Sequence, residues 1–225
     1  MDPSDWKHIK LVIFDVDGTL YNQKKLRHKM FFSLAGHYLT KPSRWSDLNI
    51  LKTFRQEREK HKDLETNDLQ NEQYAWCREK TGKDLSRIRQ VVDHWIVTYP
   101  LRLLNNLVYP GLHELFDALK KAGIRIAVLS DYPAEEKMSA MGLQADLVTD
   151  AADSRVNALK PNPAGLLYIT GFFMMDIRDC IFIGDRDDTD GEAARRIGMK
   201  YLIIDKDKMY THNYFQSLAR QIESG

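Results

Sequence analysis

The chain has 225 residues, 43% of them hydrophobic and 29% charged, and its 33 Lys and Arg nearly balance its 32 Asp and Glu. That composition excludes a disordered or low-complexity polypeptide, and the near-zero net charge leaves no whole-molecule field to recruit nucleic acid or an anionic membrane. The two cysteines, Cys77 and Cys180, make neither a disulfide framework nor a metal cluster. No apolar run approaches the length of a membrane span. The first ten residues are polar and carry Asp2, Pro3 and Asp5 where a secretory signal would place an apolar stretch, so the expected address is the cytoplasm. The length exceeds that of one usual compact domain and suits an α/β core with an insertion.

In chain order, a short apolar run over Lys10 to Asp15 reads as a buried strand ending in a carboxylate. From about Asn22 to Val108 the pattern changes to one rich in Lys, Arg, Glu, Gln and His. There Phe31, Phe32, Trp45, Phe54, Tyr74 and Trp95 are spaced as in amphipathic helices. Val108-Tyr109-Pro110-Gly111 marks a turn back. Leu112, Leu115, Phe116 and Leu119 then predict a helix to Ala122, with Gly123 as its C-terminal cap. Further strands are expected over Ile124 to Asp131, Asp146 to Asp150, Cys180 to Asp185 and Tyr201 to Asp205. The tail from Met209 to Gly225 reads as a surface helix, with Tyr214, Leu218 and Ile222 at helical spacing. Alternating strand and helix predicts an α/β fold whose parallel sheet carries helices on both faces, with ligands beyond the carboxyl ends of the strands.

Those ends carry the chemistry. In Phe14-Asp15-Val16-Asp17-Gly18-Thr19 two carboxylates follow a buried strand, and a glycine follows them in a loop that can wrap a phosphate. Carboxylates attack a phosphate dianion poorly unless a cation lowers the repulsion, so the pair implies a divalent metal, for which Mg²⁺ is the natural choice. The same residues also suit a plain turn, with Asp15 capping the strand. Ser130, beside Asp131, offers a hydroxyl to a phosphate oxygen or caps a helix near Pro133. Lys160, before Pro161, is a compact cation beside a stiff turn. Asp185 ends a second buried strand. Asp190 lies in the acidic loop that follows, where Thr189 and Glu192 also match a helix capping box.

Taken together and in order, these segments resemble the haloacid dehalogenase-like hydrolase superfamily: Asp15-Val16-Asp17-Gly18-Thr19 its first motif, Ser130 its second, Lys160 its third, and Gly184-Asp185 with Asp190 its fourth. The resemblance is to the branch of phosphoglycolate phosphatase and β-phosphoglucomutase. It implies a Rossmann-like core over residues 1–21 and 108–225, with a helical cap inserted at residues 22–107. It further implies that Asp15 is the nucleophile and a metal ligand, forming an aspartyl-phosphate. Asp17 is then general acid and base, with its main-chain carbonyl on the metal. Ser130 and Lys160 hold the phosphoryl group, Asp185 binds Mg²⁺, and Asp190 binds it directly or through water. Gly18, Thr19 and Asp131 complete the expected substrate contacts.

The reading that follows is a Mg²⁺-dependent phosphatase acting on a small soluble phosphate monoester, as a monomer or weak homodimer, with neither nucleic acid nor membrane as partner. A sugar-phosphate mutase and a non-catalytic phosphometabolite-binding protein are the alternatives. Within the resembled family the second aspartate, Asp17, favours phosphatase or phosphomutase chemistry over halide displacement. Lys24, Lys25, Arg27, His28 and Arg44 are candidates for reading the leaving group, although each suits a solvated helix face as well.

Overall fold

A computed structural model describes residues 6–205, 209 and 213–224. Asp2, Pro3 and Asp5, and parts of the tail read as helical, lie outside the described residues. The fold is α/β: β1 (Leu11–Phe14), β2 (Arg125–Ser130), β3 (Leu147–Asp150), β4 (Cys180–Gly184) and β5 (Lys200–Ile203) form one parallel sheet in the order β3-β2-β1-β4-β5. Each expected strand is present, its ends shifted by a residue or two, and β5 begins one residue earlier than expected, at Lys200.

The strands are apolar on both faces because both are covered, as parallel sheets require. Val12, Phe14, Ile126, Val128, Ile181 and Ile183 belong to one cluster. The alternate residues Leu11, Ile13, Ala127, Leu129, Cys180 and Phe182 belong to the other. On the first face, Phe116 of the helix Leu112–Lys121 stacks on Phe14 with ring centroids 5.0 Å apart. Gly123, at φ +72°, ends that helix as its spacing predicts. The tail helix Tyr214–Ser224 packs on the same cluster through Phe215, Leu218, Ala219 and Ile222. The second face is covered by Leu166 and Ile169 of the helix Ala164–Phe173 and by Ala193 and Ala194 of Glu192–Arg196.

Between β1 and β2 the chain is helical: α1 (Gln23–Leu39), α2 (Ser46–Lys60), α3 (Leu69–Thr81), α4 (Leu85–Val92) and, after a π-helical turn, α5 (Tyr99–Leu104). Side chains cap several of these helices, Asn22 accepting from Lys25 N, Asp68 from Asn71 N and Asp84 from Ser86 N. Phe54, Tyr74 and Trp95 are buried as their spacing suggests. Phe31, Phe32 and Trp45 are not, at 65%, 69% and 57% exposure. On α1 the buried stripe is Leu26, Met30 and Tyr38 at fourfold spacing, which turns residues 31 and 32 outward.

The segment leaves and rejoins the sheet at an antiparallel bridge between Tyr21 and Val108, and a second bridge joins Glu65 to Ala158. Among the described residues no helix is long and apolar enough to cross a membrane.

Candidate active site

Asp15 follows β1 in the ladder, its main-chain N–H donating to Ile183 O at 2.9 Å, so the carboxylate emerges between the ends of β2 and β4. Thr19, one turn on, donates its hydroxyl to Asp15 Oδ2 at 2.9 Å. Lys160 Nζ donates to Asp15 Oδ1 and to Asp190 Oδ1, both at 2.7 Å, and stands 3.8 Å from Asp131 Oδ2. Asp190 Oδ2 accepts from the N–H groups of Asp185 and Arg186, each at 3.1 Å. Asp15, Lys160 and Asp190 are all buried.

The charges answer one another. Burial pushes the Asp15 carboxyl up against the pull of Lys160, and with Asp190 and Asp17 close by it reaches about 6. Burial alone would lower the Lys160 ammonium, but Asp131, Asp15 and Asp190 outweigh it and hold the group well above the ordinary lysine value. Ligand oxygens of Asp15, Asp185 and Asp190 lie within 4.8 Å of one another. Three carboxylates against one buried ammonium leave negative charge in excess, and an all-oxygen donor set of that kind fits a small hard divalent cation such as Mg²⁺.

Asp17 has other partners. Lys137 Nζ lies 2.7 Å from its Oδ1 and 2.8 Å from its Oδ2, and the Tyr21 hydroxyl donates to Oδ1. Burial alone would raise this carboxyl, but Lys137 and the hydrogen bond from Tyr21 hold it below the ordinary value. Two aspartates two residues apart thus stand in opposite settings, one raised and one lowered.

Several alternatives left open by the sequence are resolved. Ser130 does not cap a helix: the next one, Glu135–Met141, starts after Ala134, and Ser130 Oγ accepts from Tyr132 N within the turn. Asp190 is not part of a capping box, because Glu192 turns its carboxylate to Arg195 and Arg196. Thr19 spends its hydroxyl on Asp15, and Asp131 Oδ1 accepts weakly from Lys160 N at 3.4 Å. Lys24, Lys25, Arg27, His28 and Arg44 are exposed, and among the described residues none of them bonds to the strand-end carboxylates.

Three residues at this edge escaped the sequence reading: Tyr21, Lys137 and Arg58. Arg58, on α2, donates to Gln73 Oε1 and to the main-chain oxygen of Asp131, with its guanidinium 4.5 Å from the Tyr132 ring centroid. Tyr21 lay within reach of local inspection, four residues past Asp17. Lys137, 120 positions from Asp17, reads locally as one more charge in Glu135-Glu136-Lys137.

The family model described as haloacid dehalogenase-like hydrolase matches residues 9–198. A phosphoglycolate phosphatase of Haemophilus influenzae (strain 86-028NP) is 28% identical over 189 residues, covering 78% of this chain and 77% of that protein. Among solved structures, the 2-haloacid dehalogenase of Pseudomonas syringae pv. tomato DC3000 matches with TM-score 0.61 at 20% identity, over 87% of this chain and 86% of the other. The β-phosphoglucomutase of Clostridium difficile matches with TM-score 0.59 at 18% identity, over 96% of this chain and all of the other, 100%. At these identities the two solved structures attest the fold alone.

Proposed function

This chain belongs to the haloacid dehalogenase-like hydrolase family, and from that premise we propose that it is a Mg²⁺-dependent phosphatase acting on a small soluble phosphate monoester through an aspartyl-phosphate on Asp15. The observation that carries the proposal is the cluster of Asp15, Asp185 and Asp190, whose ligand oxygens lie within 4.8 Å of one another with Lys160 bridging Asp15 and Asp190. Asp15 lies among carboxylates that call for a cation, while Asp17 is held apart by Lys137 and Tyr21.

In this reading residues 1–21 and 108–225 form the catalytic core and residues 22–107 the cap. Asp15, Asp185 and Asp190, with the main-chain carbonyl of Asp17, would hold the metal, which when bound neutralises charge on the phosphoryl oxygens. Thr19 and Lys160 orient Asp15 for in-line attack. Lys160 and Ser130 hold the phosphoryl oxygens, and the loop at Gly18 and Asp131 bound the site. Asp17 gives a proton to the departing oxygen and takes one from the water that hydrolyses the aspartyl-phosphate.

The named activity of the Haemophilus influenzae relative makes 2-phosphoglycolate the first ester to try. The enzyme acts in the cytoplasm on a diffusible ester, as a monomer or weak dimer. Release of phosphate from a panel of phosphoacids, sugar phosphates and nucleotides in Mg²⁺, abolished in both Asp15→Asn and Asp17→Asn, is the expected result. Equal silence of wild type and variants on every ester counts against it, and isomer conversion of a sugar phosphate would point to the mutase alternative.

A further inference from the structure

Acidic and basic residues balance over the whole chain but not along it. From Gly18 to Ser46 there is no Asp or Glu, while Lys24, Lys25, Arg27, Lys29, Lys41 and Arg44 all fall there. These six are exposed, and among the described residues none forms an ion pair with a carboxylate. By contrast Arg178, Arg195 and Arg196, also exposed, each have a carboxylate partner. The first part of the helical segment therefore presents positive charge that the chain does not answer itself.

Bulky apolar side chains stand on the same surface. Leu26, Met30 and Tyr38 turn one side of α1 inward. At 3.6 residues per turn, Lys25, His28, Phe32 and Leu39 line the opposite side, where Phe32 is 69% and Leu39 73% exposed. The Phe31 ring meets that of Phe32 edge-on, with centroids 5.6 Å apart. At the C-terminal end of α1 the Trp45 indole N–H donates to Tyr38 O at 2.8 Å, which satisfies its polar atom and leaves the ring body outward. Of the nine large hydrophobic side chains exposed among the described residues, five (Phe31, Phe32, Leu39, Trp45 and Leu48) lie between residues 31 and 48, too concentrated for scattered surface apolar groups. A helix apolar on two opposite sides is suited to being covered on both.

Charge and shape select what covers it. A second copy of the chain in a two-fold contact would set the same cations against one another. Single-stranded nucleic acid is held in a charged groove, whereas side chains two-thirds exposed stand proud of the surface. Cations beside protruding Phe, Trp and Leu side chains suit a bilayer, in which Lys and Arg meet anionic headgroups while the rings and leucines enter the apolar boundary.

We propose that the outer face of α1, with Trp45 and Leu48, docks the protein reversibly on anionic lipid bilayers without spanning them. A net charge near zero excludes a whole-molecule field, not a local one. The inference is independent of the phosphatase reading, in which none of these apolar residues has a part.

Cosedimentation of the full chain with lipid vesicles is the test. Binding is expected to vesicles of equal parts phosphatidylglycerol and phosphatidylcholine, and at least about tenfold weaker binding to phosphatidylcholine alone, since each Lys or Arg near an anionic surface contributes about fivefold. Added salt should weaken it further. Phe32→Ser with Leu39→Ser removes apolar groups, and Lys29→Glu with Lys41→Glu reverses two charges. Each pair is expected to lose at least about tenfold in binding, with Tm unchanged because all four positions are exposed. Met174→Ser, at an exposed position on the core, should bind like wild type. Should the apolar pair melt lower, Phe31→Ser carries the same comparison.

No binding to either vesicle, equal binding to both, variants that bind like wild type, or an equal loss in Met174→Ser overturns the proposal. Binding of a single-stranded oligonucleotide, lost in the charge-reversed pair while vesicles stay unbound, overturns it in favour of a nucleic-acid surface. Self-association in lipid-free buffer that Phe32→Ser abolishes, again without vesicle binding, overturns it in favour of a contact between copies.

Discussion

Gly18 and Asp185 approach so closely that a Cβ on residue 18 would stand 2.2 Å from Asp185 Oδ2. The loop after β1 and the end of β4 therefore close on Asp15 from two sides, and the backbone of residue 18, at φ +106°, lies where side-chain-bearing residues are strained. Gly18→Ala is expected to cost about 1–3 kcal/mol in backbone strain and to displace Asp185. Calorimetric titration with Mg²⁺ checks this: affinity and phosphate release should fall together, and a variant that binds Mg²⁺ like wild type would refute the steric argument.

Lys160 is the cation shared by Asp15 and Asp190. Replacing it with methionine leaves two buried carboxylates uncompensated, for which a destabilisation of about 3–5 kcal/mol is expected in the metal-free protein. Urea unfolding with and without Mg²⁺ measures it. The divalent ion should recover part of the lost stability while phosphate release stays abolished.

The pH dependence of the metal-free protein has a definite sign. Asp15 stands at about 6 in the folded protein against 3.8 ordinarily, because it is buried, so folding favours its protonated form. The stability this contributes is fully present below 3.8 and is lost as pH rises through about 6. Asp17, lowered by Lys137, works the other way, contributing stability above the ordinary value that is lost as pH falls through its own lower one. Thermal melts across this range should show the Mg²⁺-induced rise in Tm growing as pH climbs through the Asp15 window. In Asp15→Asn that growth should flatten.

Arg58 joins the helical segment to the strand end through neutral partners, Gln73 Oε1 and the main-chain oxygen of Asp131. Arg58→Ala removes the donor from two acceptors and is expected to destabilise by about 1–3 kcal/mol. The nearby Glu59–Arg186 pair, with side chains 56% and 40% exposed, makes a useful contrast. Glu59→Gln should shift stability by no more than about 1 kcal/mol, and that shift should shrink in salt. Guanidinium is unsuitable for this comparison because it is itself a salt, so urea denaturation is the measurement.

The strands, their parallel arrangement and the arrival of Asp15, Ser130, Asp131 and Asp185 at one sheet edge were legible from residue order, because each ends or follows a buried apolar run and local hydrophobic pattern is enough to find such places. Lys160 and Asp190 were joined to them only by the resemblance of the motifs, since a lysine before a proline and an aspartate in a polar loop carry no such local signal. The helical character of residues 22–107 was legible from local pattern as well. Which of its aromatics are buried was not, since Phe31 and Phe54 carry the same local signal and are separated only by which helix face meets a neighbour.

The partners of Asp17 belong to the tertiary structure. Lys137 acquires its meaning when the helix after β2 is laid beside the loop after β1, across 120 positions of chain. The same holds for Arg58, which reaches Asp131 across 73 positions. A charge on a helix looks alike in sequence whether it faces water or a carboxylate; the burial that makes Lys137 matter is set by elements that the local pattern around it does not contain.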